Sequence, residues 1–274
     1  MSFHETPAER NVRLFGTEQP VCLVTGSAAA RVGRCVAGSL RGEGFSIVWH
    51  AHRLKPDMPA TGDDLLLIGP VEEEDNVASW RQQVLDRHGR LDVLVNSAAV
   101  WGFKRLEEAT AQDFCRQFEV NALGTALTCK HFGLQMAQQS HGGCIINIGD
   151  WAVLRPYSDF ATYFPSKGAV EAITRSMAVE LAIRNPRIRV SAVLPGPVLL
   201  SPDIDASHRQ RIIDAALLKR EGTPEDVAHA VVFLVTSPFI TGVCLPVDGG
   251  RSIYAGPATD PIAHPEASSS TGAG

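Results

Sequence analysis

The chain has 274 residues and a formal net charge of −5, with no long basic run, which excludes non-specific binding to nucleic acid. Hydrophobic residues make up 45% and charged residues 20%, the balance of a soluble globular protein with enough chain to bury a core. No run reaches the length of a membrane span, and Met1-Ser2-Phe3-His4-Glu5 lacks the apolar centre of a signal peptide, so a cytoplasmic protein with no membrane partner is expected.

Residues 1–18 are polar and read as a flexible N-terminal arm. From there short apolar runs alternate with longer amphipathic ones. Strands are predicted at Val21–Thr25, Ser46–Trp49, Leu65–Ile68, Val93–Asn96, Cys144–Ile148, Arg189–Leu194 and Val243–Val247. Helices are predicted at 32–43, 75–88, 111–139, 161–184, 207–217 and 224–236. Several strand runs are apolar throughout, as strands covered on both faces are. The alternation implies an α/β fold with one parallel sheet of seven strands and helices on both faces. No linker divides residues 19–256, and residues 257–274 form a Pro/Ser/Gly tail predicted to be disordered. The six cysteines, at 22, 35, 115, 129, 144 and 244, form no CxxC pair and no zinc-spaced cluster, so free thiols and no metal are expected.

The first strand runs into Thr25-Gly26-Ser27-Ala28-Ala29-Ala30-Arg31-Val32-Gly33 and then a helix. A small-residue turn lets backbone approach a pyrophosphate, and the helix N-terminus supplies N–H donors; a ligand-free βα turn looks the same in sequence. The second strand ends in His50-Ala51-His52-Arg53, with no acid between Gly44 and Pro56. An acid here would bond the ribose of NAD, whereas His50, His52 and Arg53 suit a 2′-phosphate or form a solvated basic loop. NADP(H) is the expected cofactor.

Tyr163 and Lys167 stand four residues apart, on one helix face, with Asp150 thirteen residues upstream. An ammonium beside a phenol favours the phenolate, as acid-base chemistry needs; an ordinary exposed pair has the same spacing.

Taken in order, Thr25-Gly26…Gly33, Asn96-Ser97-Ala98-Ala99, Val120-Asn121-Ala122-Leu123-Gly124, Tyr163-xxx-Lys167, Pro195-Gly196-Pro197 and Val247-Asp248-Gly249-Gly250 resemble the short-chain dehydrogenase/reductase family over residues 19–256. The resemblance implies a single-domain Rossmann-type doubly wound sheet, a homotetramer or homodimer, and hydride transfer from NADP(H) to a small molecule. It implies catalytic roles for Asp150, Tyr163, Lys167 and Asn121: Tyr163 as the acid, Lys167 on the cofactor ribose and lowering the tyrosine pKa, and Asn121 holding a water. Cofactor contacts are implied for Gly26, Ala30, Arg31, Val32, Gly33, His50, His52, Arg53, Val71, Asn96, Ser97, Ala98, Tyr163, Lys167, Pro195 and Gly196.

Asp150 stands where the family usually has Ser, and this resembles the pteridine reductase branch, which includes dihydromonapterin reductases. Arg31 and the His-x-His-Arg segment are similar to that branch. Trp101 matches its pterin-stacking aromatic and reads equally as a core or interface Trp. The implied substrate residues are Arg31, Trp101, Asp150 and Tyr163, and the implied substrate is a pteridine-like C=N compound. A general carbonyl or 3-oxoacyl thioester reductase is the alternative, and a silent NADP(H)-binding scaffold or sensor a third. Three departures bear on the site: an extra residue in the glycine turn, Pro70 where an acid usually meets adenine, and Ala99 without a hydroxyl. The segment Leu199–Leu218 is expected to be the substrate lid.

Overall fold

The structure is a computed structural model that describes residues 5–54, 64–200 and 204–254. Its frame is one parallel sheet of seven strands: β1 (Val21–Val24), β2 (Ser46–Ala51), β3 (Leu66–Ile68), β4 (Val93–Asn96), β5 (Gly143–Ile148), β6 (Ile188–Pro195) and β7 (Cys244–Val247). The order across the sheet is β3-β2-β1-β4-β5-β6-β7. The chain builds outward from β1, then crosses back to begin again at β4. That reversal opens a crevice at the carboxyl ends of β1 and β4, where doubly wound sheets bind ligands.

Alternate residues of each strand feed opposite layers. Cys22 and Val24 of β1 pack with Val36 and Leu40 of α2 (Val32–Gly42) and with Val231 and Leu234 of α8 (Pro224–Thr236). Val21 and Leu23 face the other way, into the layer built by α3 (Glu74–His88), α5 (Gly124–Ala137) and α6 (Phe164–Arg184), with Trp80, Phe132 and Leu181 at its centre. Burial on both faces explains why the strands read as continuous apolar runs.

The N-terminal segment is not a loose arm. Residues Pro7–Phe15 form α1, opened by a Thr6–Glu9 capping box with Pro7 in the first turn. Asn11 is fully buried and its amide donates to the carbonyls of Glu18 (3.3 Å) and Glu43 (2.9 Å). Phe15 meets Phe45 edge to face at 5.7 Å. The predicted tail, 257–274, lies outside the described residues.

Two helices depart from their predicted form. The helix expected over 111–139 is α4 (Ala111–Gln117) and α5 joined by a π-helical stretch, Phe118–Leu123, which contains Asn121. Wide turns of this kind are frequent at functional sites. The helix expected from 161 begins at Phe164, so Tyr163 is its N-cap residue and Lys167 lies one turn in.

His50 corrects an expectation. It is buried at the end of β2, its Nδ1 accepting from the N–H of Gly26 at 2.9 Å and its Nε2 meeting the Gly69 carbonyl at 3.0 Å. Its ring packs edge-on against Trp80 at 4.7 Å. With one nitrogen accepting and the other donating, the imidazole is neutral. Burial pulls its pKa down to about 4, so it does not offer charge to a phosphate. Its work is to shape the β1 turn, since its carbonyl also accepts from Ala28 N–H at 3.2 Å and its own N–H donates to Ser27 Oγ at 3.2 Å.

Two outcomes follow. Phe15→Ala is expected to lower the unfolding free energy in denaturant titration by about 3 kcal/mol, where a loose arm gives no change. His50 is neutral when folded and takes a proton readily when unfolded, so the unfolded chain binds more protons between the two pKa values. Its contribution is therefore complete above about pH 6.5 and is lost as pH falls towards 4, an effect on the order of 3 kcal/mol. His50→Asn is expected to flatten that part of the stability–pH curve; an unchanged slope refutes the assignment.

Candidate active site

The site lies along the carboxyl edge of the sheet. At the β1–β4 switch, Thr25 Oγ1 accepts from the N–H groups of both Ser97 and Ala98 at 3.0 Å, tying the two strand ends together. Gly26 has φ +69, and a Cβ on it would stand 2.9 Å from Ala98 Cα. A side chain is thus excluded both by conformation and by the approach of β4. A Cβ on Gly33 would reach within 3.2 Å of the Gly26 carbonyl, which fixes how closely α2 approaches the turn.

The start of α2 fits a pyrophosphate. Arg31 is its N-cap residue and makes no side-chain cap bond, and no acid lies in the first turn. By contrast α1, α4 and α8 each begin with a complete capping box. An uncapped, acid-free helix start leaves N–H donors and the positive dipole end for an anion. Ala30 and Arg31 are exposed there, Val32 is half-buried, and His52 and Arg53 are exposed just beyond β2. The described chain therefore fits the pyrophosphate of a dinucleotide, and His52 and Arg53, not the buried His50, are the exposed basic residues beyond β2. Val71 is buried against Gly124, where Pro70 leaves no carboxylate. Gly196 donates to the Val247 carbonyl at 2.9 Å and packs on Asp248, beside Pro195 at the end of β6.

Asn96 is turned inward. Its amide donates to Asn147 Oδ1 at 2.9 Å and its Oδ1 accepts from Thr128 Oγ1 at 2.8 Å, while Asn147 donates to Thr174 Oγ1 at 2.9 Å. This buried network ties β4 and β5 to α5 and α6; only the backbone of Asn96 belongs to the crevice.

At the end of β5 the sequence-predicted acid–base residues come together. The Tyr163 hydroxyl donates to Asp150 Oδ2 at 2.9 Å. The second oxygen of Asp150 accepts from Ala152 N–H at 2.8 Å, capping a short 3₁₀ turn, Trp151–Val153. Lys167 is buried and its ammonium donates to the Ile148 carbonyl at 2.9 Å. Burial pulls Lys167 down to about 8 against the opposing pull of Asp150. Burial lifts the Asp150 carboxyl above its ordinary range; Ala152 N–H, Lys167 and the Tyr163 hydroxyl only partly offset it.

The resemblance implies that Lys167 lowers the pKa of Tyr163. In the structure that phenol is instead pushed well above its ordinary value, by burial first and then by the Asp150 charge. The carboxylate that replaces the family's usual hydroxyl adds to the effect of burial.

Asn121 is buried within the π-helical stretch. Its Oδ1 accepts from Val100 N–H at 2.9 Å, and its amide lies 3.0 Å from the Val100 carbonyl and 3.0 Å from Ser166 Oγ. Ser166 in turn donates to the Tyr163 carbonyl at 2.7 Å. Asn121 thus braces the backbone that carries the tyrosine.

Trp101 is 62% exposed and meets Phe160 at 5.3 Å, so it is not a core residue. With Tyr157, Phe164 and Trp151 it makes an aromatic wall beside Tyr163. Sequence spacing did not reveal Ser166, Tyr157 or Arg251. The last places its guanidinium 5.0 Å over the Trp151 ring, and its position in the chain gives no sign of it.

Residues 27–252 match the family model described as enoyl-(acyl carrier protein) reductase. The human protein named 3-oxoacyl-[acyl-carrier-protein] reductase is 35% identical over 85% of this chain and 98% of its own length. Carbonyl reductase family member 4 of Xenopus laevis is 31% identical over 85% and 98%. Among solved structures, the ligand-free aldohexose dehydrogenase of Thermoplasma acidophilum aligns with a TM-score of 0.77 at 27% identity, covering 90% of this chain and 98% of that one. With the parallel sheet, the switch-point turn and the Tyr163–Lys167 pair in place, these matches are those of an oxidoreductase: the chain belongs to the short-chain dehydrogenase/reductase family.

Proposed function

We propose that this oxidoreductase reduces the carbonyl group of a small substrate with NADPH, of the kind that the names 3-oxoacyl-[acyl-carrier-protein] reductase and carbonyl reductase describe in its relatives. The names support the substrate class. The 2.9 Å contact between Tyr163 and Asp150 carries the chemistry, because it keeps the phenol protonated.

Gly26 and the stretch Ala30–Gly33 would hold the pyrophosphate, His52 and Arg53 the 2′-phosphate, and Val71, Ser97, Ala98, Pro195 and Gly196 the remaining faces. Tyr163 and Lys167 would hold the nicotinamide ribose. The cofactor supplies the hydride. As the substrate oxygen gains negative charge it becomes more basic than the phenolate, and Tyr163 gives up its proton to it. The high phenol pKa prevents ionisation beforehand. Asp150 and Tyr163 titrate as one coupled group, which takes one proton from solvent to restore the phenol after each turnover. Lys167, buried behind them, offsets the charge of Asp150.

A second reading is favoured by one observation, the carboxylate of Asp150. Besides the bonds from Tyr163 and Ala152, its two oxygens keep lone pairs that can accept from the amino and ring N–H groups of a pterin, and exposed Trp101 offers a stacking face. The substrate on this reading is a pteridine-like C=N compound, with Arg31 and Trp101 as its further contacts. We further propose that the protein acts in the cytoplasm and assembles with copies of itself.

Acetoacetyl thioesters and dihydropterins, each mixed with NADPH while cofactor absorbance is followed, separate the readings. Thioester turnover is expected; pterin turnover alone reverses the assignment, and turnover of neither, with cofactor still bound, leaves a scaffold. Tyr163→Phe is expected to lower kcat by roughly 10²–10⁴-fold with cofactor binding retained. Asp150→Ser is expected to keep thioester reduction and to abolish any reduction of pterins. Arg53→Glu is expected to raise the KM for NADPH by about tenfold and leave that for NADH unchanged; an equal effect on both removes Arg53 from the 2′-phosphate.

A further inference from the structure

We propose that Arg251 is a positioning residue that latches the substrate-side segment, residues 204–219, to the catalytic turn. The inference rests on the reading that substrate lies beneath this segment. It concerns how the segment is held in place.

The segment has little apolar hold on the body of the protein. Its helix, α7 (Ala206–Asp214), contains no buried residue, and only Ala216 of the segment is buried, where it and Leu217 lie against Gly249 and Gly250. Leu199 (φ 55) and Lys219 (φ 51) lie at the boundaries of this region, and both are non-glycine residues in the left-handed region. An L-residue stays there only when the surroundings impose it. Polar contacts from outside the helix hold the segment in place. Arg251 Nη1 donates to the Ile212 carbonyl at 2.9 Å, near the helix C-terminus, and Leu218 N–H donates to the Gly249 carbonyl at 3.1 Å.

The same guanidinium sits 5.0 Å from the centre of the Trp151 ring. A guanidinium stacks on an indole while its edge N–H groups stay free to donate. Trp151 is buried and opens the 3₁₀ turn that Asp150 caps. Arg251 therefore joins a carbonyl of the lid helix to the turn that holds the tyrosine's partner.

The backbone of Arg251 is also fixed. Asp248 accepts from Gly250 N–H at 2.9 Å and from Ser252 N–H at 2.7 Å, closing the turn around it. Arg155 donates to the carbonyls of Arg251 and Tyr254. Among the described residues, Tyr157, Arg155 and Asp248 are the charged or titratable groups that face the guanidinium, and none is an acid in direct contact with it, so the cation turns to the lid carbonyl and the indole. Lysine reaches one partner at a time, and methionine keeps only the stem.

The full-length protein, its Arg251→Met variant and its Arg251→Lys variant serve as the test. The first readout is limited trypsin cleavage at Arg209, Arg211 and Lys219, followed by mass spectrometry. In Arg251→Met the cleavage rate at these sites is expected to rise about tenfold, with Arg251→Lys between it and wild type, while the thermal midpoint stays put. The second readout is kinetic: KM for the carbonyl substrate is expected to rise about tenfold with kcat within about twofold and NADPH affinity unchanged. Wild-type cleavage rates in both variants overturn the proposal. So does loss of NADPH affinity in step with activity, which marks general damage. If Arg251→Met does not fold, the lysine variant alone decides, by faster cleavage or none. If wild type reduces no substrate, the functional reading fails, and the cleavage rates still decide the latch.

Discussion

The hydroxyl of Thr25 accepts two hydrogen bonds, from Ser97 and Ala98, and the crevice exists because of it. β1 and β4 are neighbours in the sheet but lie on opposite sides of the chain reversal, so their carboxyl ends would otherwise diverge into separate loops. One side chain holds both ends at a distance that only Gly26 tolerates. His50 completes the clamp from the next strand by accepting the Gly26 N–H. The catalytic end of β5 is fixed in turn by the buried chain Thr128–Asn96–Asn147–Thr174, which ties β4 and β5 to the helices beneath them. The crevice and the Tyr163–Asp150 pair are thus two halves of one hydrogen-bonded edge.

Asp150 alters the chemistry of that edge. A hydroxyl in its place would leave the phenol's acidity to burial and nearby cations. Burial lifts the phenol pKa well above its ordinary value, and the carboxylate, a negative charge in hydrogen-bond contact, raises it further. The proton therefore stays on the tyrosine near neutral pH. Burial lifts Asp150 in the same direction, so the pair binds protons more firmly than either group does in water.

The sheet was legible because each strand is buried on both faces and carries its apolar residues without a break; every predicted strand is present. The catalytic spacing was legible because it is local: four residues within one helical turn, and thirteen between a strand end and the following helix. What stayed hidden depends on remote partners. Helix α1 is held by buried Asn11, whose bonds reach the carbonyls of Glu18 and Glu43, and no local pattern announces a buried asparagine. The π-helical stretch inserts its wide turn without breaking the helical pattern. His50 was read as facing a phosphate, yet strand alternation held the answer: it shares a face with Val48, which packs in the α3 layer. The substrate remains the least legible element, since the relatives' names point to carbonyls and Asp150 to a pterin.

Tyr163 and Lys167 sit at the head of a helix of 21 residues packed along the sheet, whereas the region above them is carried on a helix with no buried residue. Mutations in the two parts have unequal costs. A change in α7 disturbs few packed atoms and leaves the proton-transferring pair in register, while a change in α6 disturbs the core. Selection is free to reshape the entrance for one compound after another while the reacting groups stay where they are. An engineer exchanging the entrance segment for that of a relative would inherit the same freedom, provided the C-terminal turn that grips it travels with it.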